Sequence, residues 1–438
     1  MEVLAALQTF LQSRLSQVQG RLVVGLSGGM DSTALLWGLV CLRTPEWPPL
    51  LAVHVHHGLQ PDADAWAEHC LQRGAAWGVP VQVIRVQVPA GASVEAMARQ
   101  ARRQAYAQIL QAGDVLLLAH HADDQAETLM FRLCRGTGLD GLRGMEDDAL
   151  WSQQRQYWRI WRPLLGLRRA WIADWMHQQE VSWIEDPSNL QIHFSRNYLR
   201  HEVLPQLEAR WPATVEHLVA LARESQDVFA QLEVLDRDVL KSLGEGGRIS
   251  VAPLLALSVQ RRARILRLWL KEKGLPRPSR QLMQRLCTEF LEVTGGTAPL
   301  LSWSGVEVCR FRGQLHAAWQ TSDLKEFHAS WDMQQPLPLP GHRVLLAQQV
   351  QGRGLRRPAE GYVQVRGRQG GETMRLYQQG PRQDIKTLMH SWAIPPKSRF
   401  RCPMVFIGDD LVCVPGFAMA EDYTVRADEI GYELKVIG

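Results

Sequence analysis

Within residues 21–135 four short apolar runs, RLVVGL, LLAVHV, VQVIRV and VLLLAH, alternate with stretches of helical character at 33–42, 64–77 and 93–111. Strands that return in the same direction need a crossover long enough to hold a helix. The alternation therefore predicts an α/β fold, a doubly wound, Rossmann-like parallel sheet with helices on both faces. In such sheets ligands bind beyond the carboxyl ends of the strands. Two segments fall there: SGGMDS, residues 27–32, and His120-His121-Ala122-Asp123-Asp124. The fold should bring both into one crevice.

Beyond residue 150 the pattern loosens. WRIWRPLL alternates like a strand and stops at a proline, and RRAWIADWMHQQ has the spacing of an amphipathic helix. Leu218, Leu221, Ser225, Val228, Leu232, Leu235 and Val239 recur at steps of three and four, predicting one long helix closed by GEGG at 244–247. A second unit follows with helices at 258–273 and 280–293 and a hairpin around Gly313. The linker QQPLPLPG at 334–341 precedes short strands, where VRGRQGGETM supplies turn glycines and MVFIG and LVCVPG pair. The expected domains are 1–215, a linking helix at 216–247, a small mostly helical domain at 248–330 and a β-rich domain at 345–438.

MEVLAALQTFLQSRL reads as a surface amphipathic helix, not a signal peptide, and no apolar run approaches the ~20 residues that cross a bilayer. Seven cysteines without a CxxC pair argue for a reducing cytoplasm and against a zinc or iron–sulfur framework, and Cys41 and Cys134 read as buried spectators. The net charge of +4 is unevenly spread. Arg353, Arg356, Arg357, Arg366, Arg368, Arg375, Arg382, Lys386, Lys397, Arg399 and Arg401 are opposed in that segment only by Glu360, Glu372 and Asp384. Such a segment suits a polyanion, and a solvated face is the competing reading.

In the first motif Gly28 and Gly29 let backbone approach a ligand closely, and successive N–H groups at a helix start form an anion nest. Ser27 and Ser32 add hydroxyls around Met30, and Asp31 can orient a metal or a reacting group. A Walker loop carries a lysine; this one does not, so Mg²⁺ and arginines from elsewhere must neutralise the phosphates. In AHHADDQAET, residues 119–128, Asp124 and Glu127 share one helix face beside His120 and can hold Mg²⁺ or an ammonium group. Acidic residues also favour a helix start for purely structural reasons.

SGGxDS resembles the loop of the PP-loop ATP pyrophosphatase superfamily. The resemblance implies cleavage of ATP between the α and β phosphates, adenylation of a carbonyl oxygen, and displacement of AMP by a nucleophile. LAVHVHHGL resembles that superfamily's second strand, whose edge abuts the adenine, which implies nucleotide contacts from Val53 and His54 as well as residues 27–32. His56-His57-Gly58-Leu59 follow. Glu95, Ala98, Arg99 and Arg102 continue the resemblance, with Arg103 where a tyrosine is usual. Then come RGTGLDGL at 135–142, RPLL at 162–165, EDPSN at 185–189 and SRNYLRHEVLP. This order resembles the tRNA(Ile)-lysidine synthetase family along essentially the whole chain. In the tail, Arg368 to Glu372 fits the family's R-x-GG-E stretch, whereas an expected doubled lysine reads Asp384-Ile385-Lys386.

The family implies ligation of free L-lysine to C2 of the wobble cytidine in a CAU-anticodon tRNA(Ile), through an adenylated cytidine. It implies ATP and Mg²⁺, with the metal at Asp31 or at the Asp124 and Glu127 pair. Asp31, His120, Asp124, Glu127, Arg102 and Arg196 carry the implied chemistry, and Arg200, Arg366, Arg368 and Arg375 the RNA contacts. A cytoplasmic monomer or homodimer, without a membrane partner, is expected. Two rivals use the same loop: a tRNA thiolase, which would want paired cysteines, and a non-catalytic RNA-binding protein with a nucleotide fold.

Overall fold

The computed structural model describes the chain except residues 1, 59, 88–93, 154–155, 245–246, 294–298, 342, 360, 378–379 and 438, and for 94–96, 152–153 and 190 it describes the backbone alone. Leu59, Ser93, the Glu95 side chain, Glu245-Gly246 of the GEGG stretch and Glu360 therefore lie outside the described residues. The chain divides into two compact units, Met1–Leu232 and Glu233–Gly438.

The first unit opens with α1 (Glu2–Gln12). It continues β1 (Leu22–Gly25), α2 (Met30–Leu42), β2 (Leu50–His56), α3 (Ala63–Ala76), β3 (Val81–Arg85), α4 (Val94–Ile109), β4 (Val115–Leu117) and α5 (Ala122–Cys134). Next come β5 (Asp148–Gln153), β6 (Gln156–Trp161) and α6 (Arg169–Gln178). The sheet runs β3-β2-β1-β4-β6-β5. All neighbours are parallel except β5, which pairs antiparallel with β6. The alternation over 21–135 predicts parallel strands, and β1 to β4 are parallel; the antiparallel edge β5 lies beyond that stretch. The two residues between β5 and β6 leave no length for a crossover, so only a hairpin is possible.

The central strands read as continuous apolar runs because both sheet faces are covered. Leu22, Val24 and Leu26 pack with Leu35, Leu39, Ile172 and Trp175 on one side, and Val23, Val53 and Leu116 with Ala105, Tyr106 and Trp158 on the other. The N-terminal helix belongs to the first layer through Val3, Leu7, Phe10 and Leu11, each worth about 1.5–3 kcal/mol when fully buried. Cys41 and Cys134 are not buried: each sits in the last turn of its helix, facing outward, and is exposed.

After α6 the chain forms α7 (Ser195–Tyr198), a π turn (Leu199–Val203), α8 (Leu204–Arg210) and the long α9 (Thr214–Ser242), the last crossing the division between the units.

The second unit holds an antiparallel sheet of β7 (Ile249–Ser250), β8 (Leu300–Trp303), β9 (Val306–Phe311) and β10 (Gln314–Trp319) in the order β7-β10-β9-β8. Against it pack α10 (Val251–Leu255), α11 (Val259–Glu272), α12 (Arg280–Cys287) and α13 (Glu289–Glu292). The helix expected over 280–293 breaks at Thr288 (φ −117°, ψ −95°), where the Arg262 guanidinium takes the Cys287 carbonyl at 3.0 Å. The expected hairpin turns on Arg312 and Gly313, both at positive φ (51° and 72°), as a two-residue type I′ turn requires.

The β-rich remainder comprises β11 (His328–Trp331), β12 (Leu337–Leu339), β13 (Arg343–Gln351), β14 (Val363–Arg366), β15 (Thr373–Met374) and β16 (Gln383–Asp384). It ends with α14 (Ile385–Ser391), β17 (Met404–Ile407), β18 (Asp410–Val414), β19 (Ala418–Met419) and β20 (Ile430–Ile437). Its two larger sheets run β11-β14-β17-β18-β19 and β12-β13-β20. The QQPLPLPG stretch is not a free linker: Leu337–Leu339 is an edge strand on β13, where a proline is tolerated, and Leu339 enters the core. MVFIG and LVCVPG pair as β17 and β18.

Candidate active site

The loop after β1 is held from behind. Ile184 donates its N–H to the Gly28 carbonyl at 2.9 Å, and Gly28 stands at φ +87°. A Cβ there would lie 2.6 Å from the Ile184 side chain, so the position is confined to glycine. Ser27 and Ser32 hydroxyls are 3.0 Å apart; Ser32 Oγ also accepts from the Ser27 N–H, and Thr33 Oγ1 donates to the Gly29 carbonyl at 2.9 Å. Gly29 caps α2 without any side-chain hydrogen bond, which leaves the helix's first-turn N–H groups for an anion.

The second motif turns around His121, the N-cap of α5, whose side chain is 1% exposed. Its Nε2 lies 3.4 Å from Asp124 and 3.7 Å from Asp31, and its Nδ1 3.5 Å from Asp123. Burial alone would depress its pKa, but Asp124, Asp123 and Asp31 outweigh it and hold the imidazolium to about 10. In that form Nδ1 carries a proton toward Asp123, so its 3.3 Å contact with the Asp124 amide is an approach rather than a hydrogen bond. His120 behaves oppositely. Burial, with Arg162, Arg99 and Arg196 acting against the pull of Asp124, lowers it to about 4 and keeps it neutral.

Asp124 and Glu127 share a cation. Arg200 donates through Nε to Glu127 at 2.6 Å and through Nη2 to Asp124 at 3.0 Å. The sequence reading gives Arg200 to RNA; here it sits in the π turn, locked to the two carboxylates. Burial nevertheless pushes the Glu127 carboxyl up, with Arg200 opposing. Glu127 Oε2 and Asp31 Oδ1 are buried without a hydrogen-bond partner among the described residues, an acceptor set that fits a hard cation or an ammonium group. Among the described residues no three or more His, Cys, Asp or Glu side chains cluster to hold a metal by themselves. Mg²⁺ commonly needs only one or two carboxylates beside substrate phosphates.

These groups line a cleft of about 1340 Å³, larger than the ~300–1,000 Å³ of ordinary small-molecule sites, so it has room for a nucleotide and a second ligand. Ser27, Gly29, Met30, Asp31, Ser32, His54, Arg102, His120, Glu127, Arg196 and Arg200 all face it. Gly28 and Asp124 stand behind its wall. Val53 is fully buried in the core; its carbonyl accepts from Leu26 N–H at 2.9 Å and so positions the loop. His54 Nδ1 lies 3.0 Å from the Leu26 carbonyl.

Arg366, Arg368 and Arg375 belong to the second unit. Arg366 lies 3.9 Å over the Phe406 ring, and it and Arg368 stand 3.6 and 3.8 Å from Glu372. Arg375 is 3.5 Å from Asp422. The segment's charge is thus partly compensated by residues close to it in space. Sequence reasoning passed over His121, Asp123 and Thr33; the doubled His-His and Asp-Asp were visible, but which member turns inward is set by the helix cap.

Three family models match the chain: a PP-loop domain over residues 2–207, a TilS substrate-binding domain over 249–316 and a TilS substrate C-terminal domain over 363–436. The tRNA(Ile)-lysidine synthase of Xanthomonas axonopodis pv. citri is 38% identical over 89% of this chain and 88% of its own. That of Legionella pneumophila (strain Lens) is 34% identical over 93% and 94%. Among solved structures, the U34-tRNA thiolase NcsA from Methanococcus maripaludis aligns with a TM-score of 0.43 at 16% identity, covering 51% of this chain and 78% of that one. Among the described residues no helix is long and apolar enough to cross a membrane. With a third or more of its residues shared over nearly the full length of these relatives, the chain belongs to the tRNA(Ile)-lysidine synthase family.

Proposed function

We propose that the protein ligates free L-lysine to C2 of the wobble cytidine of a CAU-anticodon tRNA(Ile), consuming ATP and releasing AMP and pyrophosphate. The observation that carries this reading is the single cleft in which an uncapped phosphate loop meets two acceptor-rich carboxylates and a neutral histidine.

The nucleotide's phosphates lie on residues 27–32 and the first turn of α2, with His54 on the strand beside them. Asp31, which lines the cleft beside the phosphate loop, would hold Mg²⁺, which would supply charge neutralisation of the phosphates. The cytidine O2 attacks the α phosphorus and pyrophosphate leaves. Arg102 and Arg196, both facing the cleft, stabilise the charge that grows on the α phosphate. The ε-nitrogen of lysine then bonds to C2, and the C2–O bond breaks with AMP as leaving group.

Free lysine is an ammonium ion, with a pKa near ~10.4, and cannot attack until deprotonated. Glu127, whose carboxyl burial pushes up, faces the cleft to seat the ammonium and take its first proton, and forming the C–N bond makes the remaining N–H acidic. His120 is neutral and its buried Nδ1 has no hydrogen-bond partner among the described residues, so it is the group placed to take that proton. The test is incubation with ATP, radiolabelled lysine and tRNA(Ile). Label in tRNA with matching AMP release is expected; AMP and label both absent from the products would leave only a nucleotide-fold RNA-binding protein.

A further inference from the structure

RPLL, residues 162–165, has no part in the reaction set out above, yet its arginine lines the same cleft. Arg162 is the first residue beyond the carboxyl end of β6. Its Nη1 donates to the Glu146 carbonyl at 2.6 Å, while its Nε is buried with no hydrogen-bond partner among the described residues. The two acidic side chains nearest in effect are engaged elsewhere: Glu146 pairs with Arg143, and Asp147 with Arg14 at 3.2 Å. Burial, with Arg99 nearby, lowers the guanidinium to about 10 against the weaker pull of Glu146 and Asp147. A buried guanidinium in that state is a seat for an anion.

Which anion follows from the order of strand ends along the crevice. It runs from β2 with His54, to β1 with the phosphate loop, to β4 with His120 and the carboxylates behind it, to β6 with Arg162. Neighbouring strands lie ~4.8 Å apart, so Arg162 is one strand beyond the carboxylates and two beyond the phosphates. Free lysine is a cation and an anion joined by an aliphatic stem of matching reach. A phosphodiester, tethered on both sides, brings no cation for the carboxylates and so matches only one half of this arrangement.

The geometry points to Arg162 as the seat of the substrate's α-carboxylate, which fixes the amino acid end-to-end so that its ε-amine, and not its α-amine, meets C2. This rests on the lysine-ligating reading. The arrangement makes Arg162 a specificity residue that selects amino acids over simple diamines.

The experiment measures lysine ligation to tRNA(Ile) in the wild-type protein, Arg162→Gln and Arg162→Lys, with cadaverine, which lacks the carboxylate, as competitive inhibitor. Arg162→Gln should raise KM for lysine roughly 10–100-fold, with Ki for cadaverine and KM for tRNA each within about twofold of wild type. Arg162→Lys, which keeps the charge without the fork, should fall between and report on any folding loss together with thermal melts. Equal weakening of cadaverine and lysine overturns the assignment, as does a rise confined to KM for tRNA, which would make the seat one for an RNA phosphate. Failure of the wild-type protein to ligate lysine at all would instead remove the function on which the inference stands.

Discussion

Arg200 is the residue on which the acidic half of the cleft turns, because it neutralises Asp124 and Glu127 together. Replacing it with methionine leaves Glu127, 1% exposed, as a buried carboxylate without its cation, a loss of about 3–5 kcal/mol for pairs of this kind. Arg200→Met should therefore lower the urea midpoint strongly, and Glu127→Gln in the same chain should restore part of it, since a neutral amide needs no counter-charge. If the double variant is no more stable than the single one, the pair is not what holds this site. Lysine transfer should stay at least 100-fold down in the double variant, because Glu127→Gln removes the carboxylate that seats the ammonium.

Asp114 illustrates a purely structural charge. Its side chain, 1% exposed, takes the Arg21 guanidinium at 2.7 Å, the Arg21 N–H at 2.7 Å and the Gln111 N–H at 2.9 Å, tying the start of β1 to the turn before β4. Burial would raise its pKa, but these donors win and the folded value lies below the ordinary one. A depressed carboxylate stabilises the fold above its unfolded pKa of ~3.9, and that contribution is lost as pH falls through the lower folded value. Asp114→Asn should cost about 3 kcal/mol at pH 7, and the gap to wild type in urea titrations should close below about pH 4. A gap that persists undiminished at pH 3 would contradict it.

At the scale of elements, Arg168 joins three helices. It reaches Asp123 at the start of α5, Glu208 in α8 and Glu216 in α9, at 3.2, 2.7 and 2.7 Å. Since its partners are partly exposed, Arg168→Met should cost only ~1–2 kcal/mol, a few degrees in melting temperature. Because Asp123 also faces His121, it should slow lysine transfer more than the melting shift explains; a proportionate change would make Arg168 a staple alone.

Much of this architecture is legible in the residues. The four apolar runs became the four strands β1 to β4, and the two motifs at strand ends meet in one cleft, because period and strand polarity are local properties. What stayed hidden depends on partners distant in sequence. The break at Thr288 follows from an arginine 26 residues earlier taking a carbonyl. The π turn at Leu199–Val203 precedes Pro205, which has no N–H to give the His201 carbonyl, and it turns Arg200 toward α5 where an RNA contact was the expectation.

For the whole molecule, the expectation that the basic tail meets a polyanion has to be squared with the fact that much of its charge is spoken for. Arg366 and Arg368 flank Glu372, whose carboxylate, 4% exposed, also accepts the Gln369 and Gly370 N–H groups, so they hold the R-x-GG-E turn in shape. Arg375 differs: it is 42% exposed and its partner Asp422 37%, a pair worth under about 1 kcal/mol that a phosphate can replace. Changing Arg366, Arg368 and Arg375 together should weaken tRNA binding while ATP binding survives, but the loss should divide by cause. Arg375→Gln should reduce the dependence of log K on log salt by roughly 0.7–0.9, the signature of one lost phosphate contact, without moving the melting temperature. Arg366→Gln with Arg368→Gln should melt several degrees lower, through the uncompensated Glu372, and leave the salt slope nearly unchanged. Filter binding between about 50 and 200 mM salt, set beside thermal melts, separates the two. A salt slope identical to wild type in Arg375→Gln would place the tail's RNA contacts on other residues.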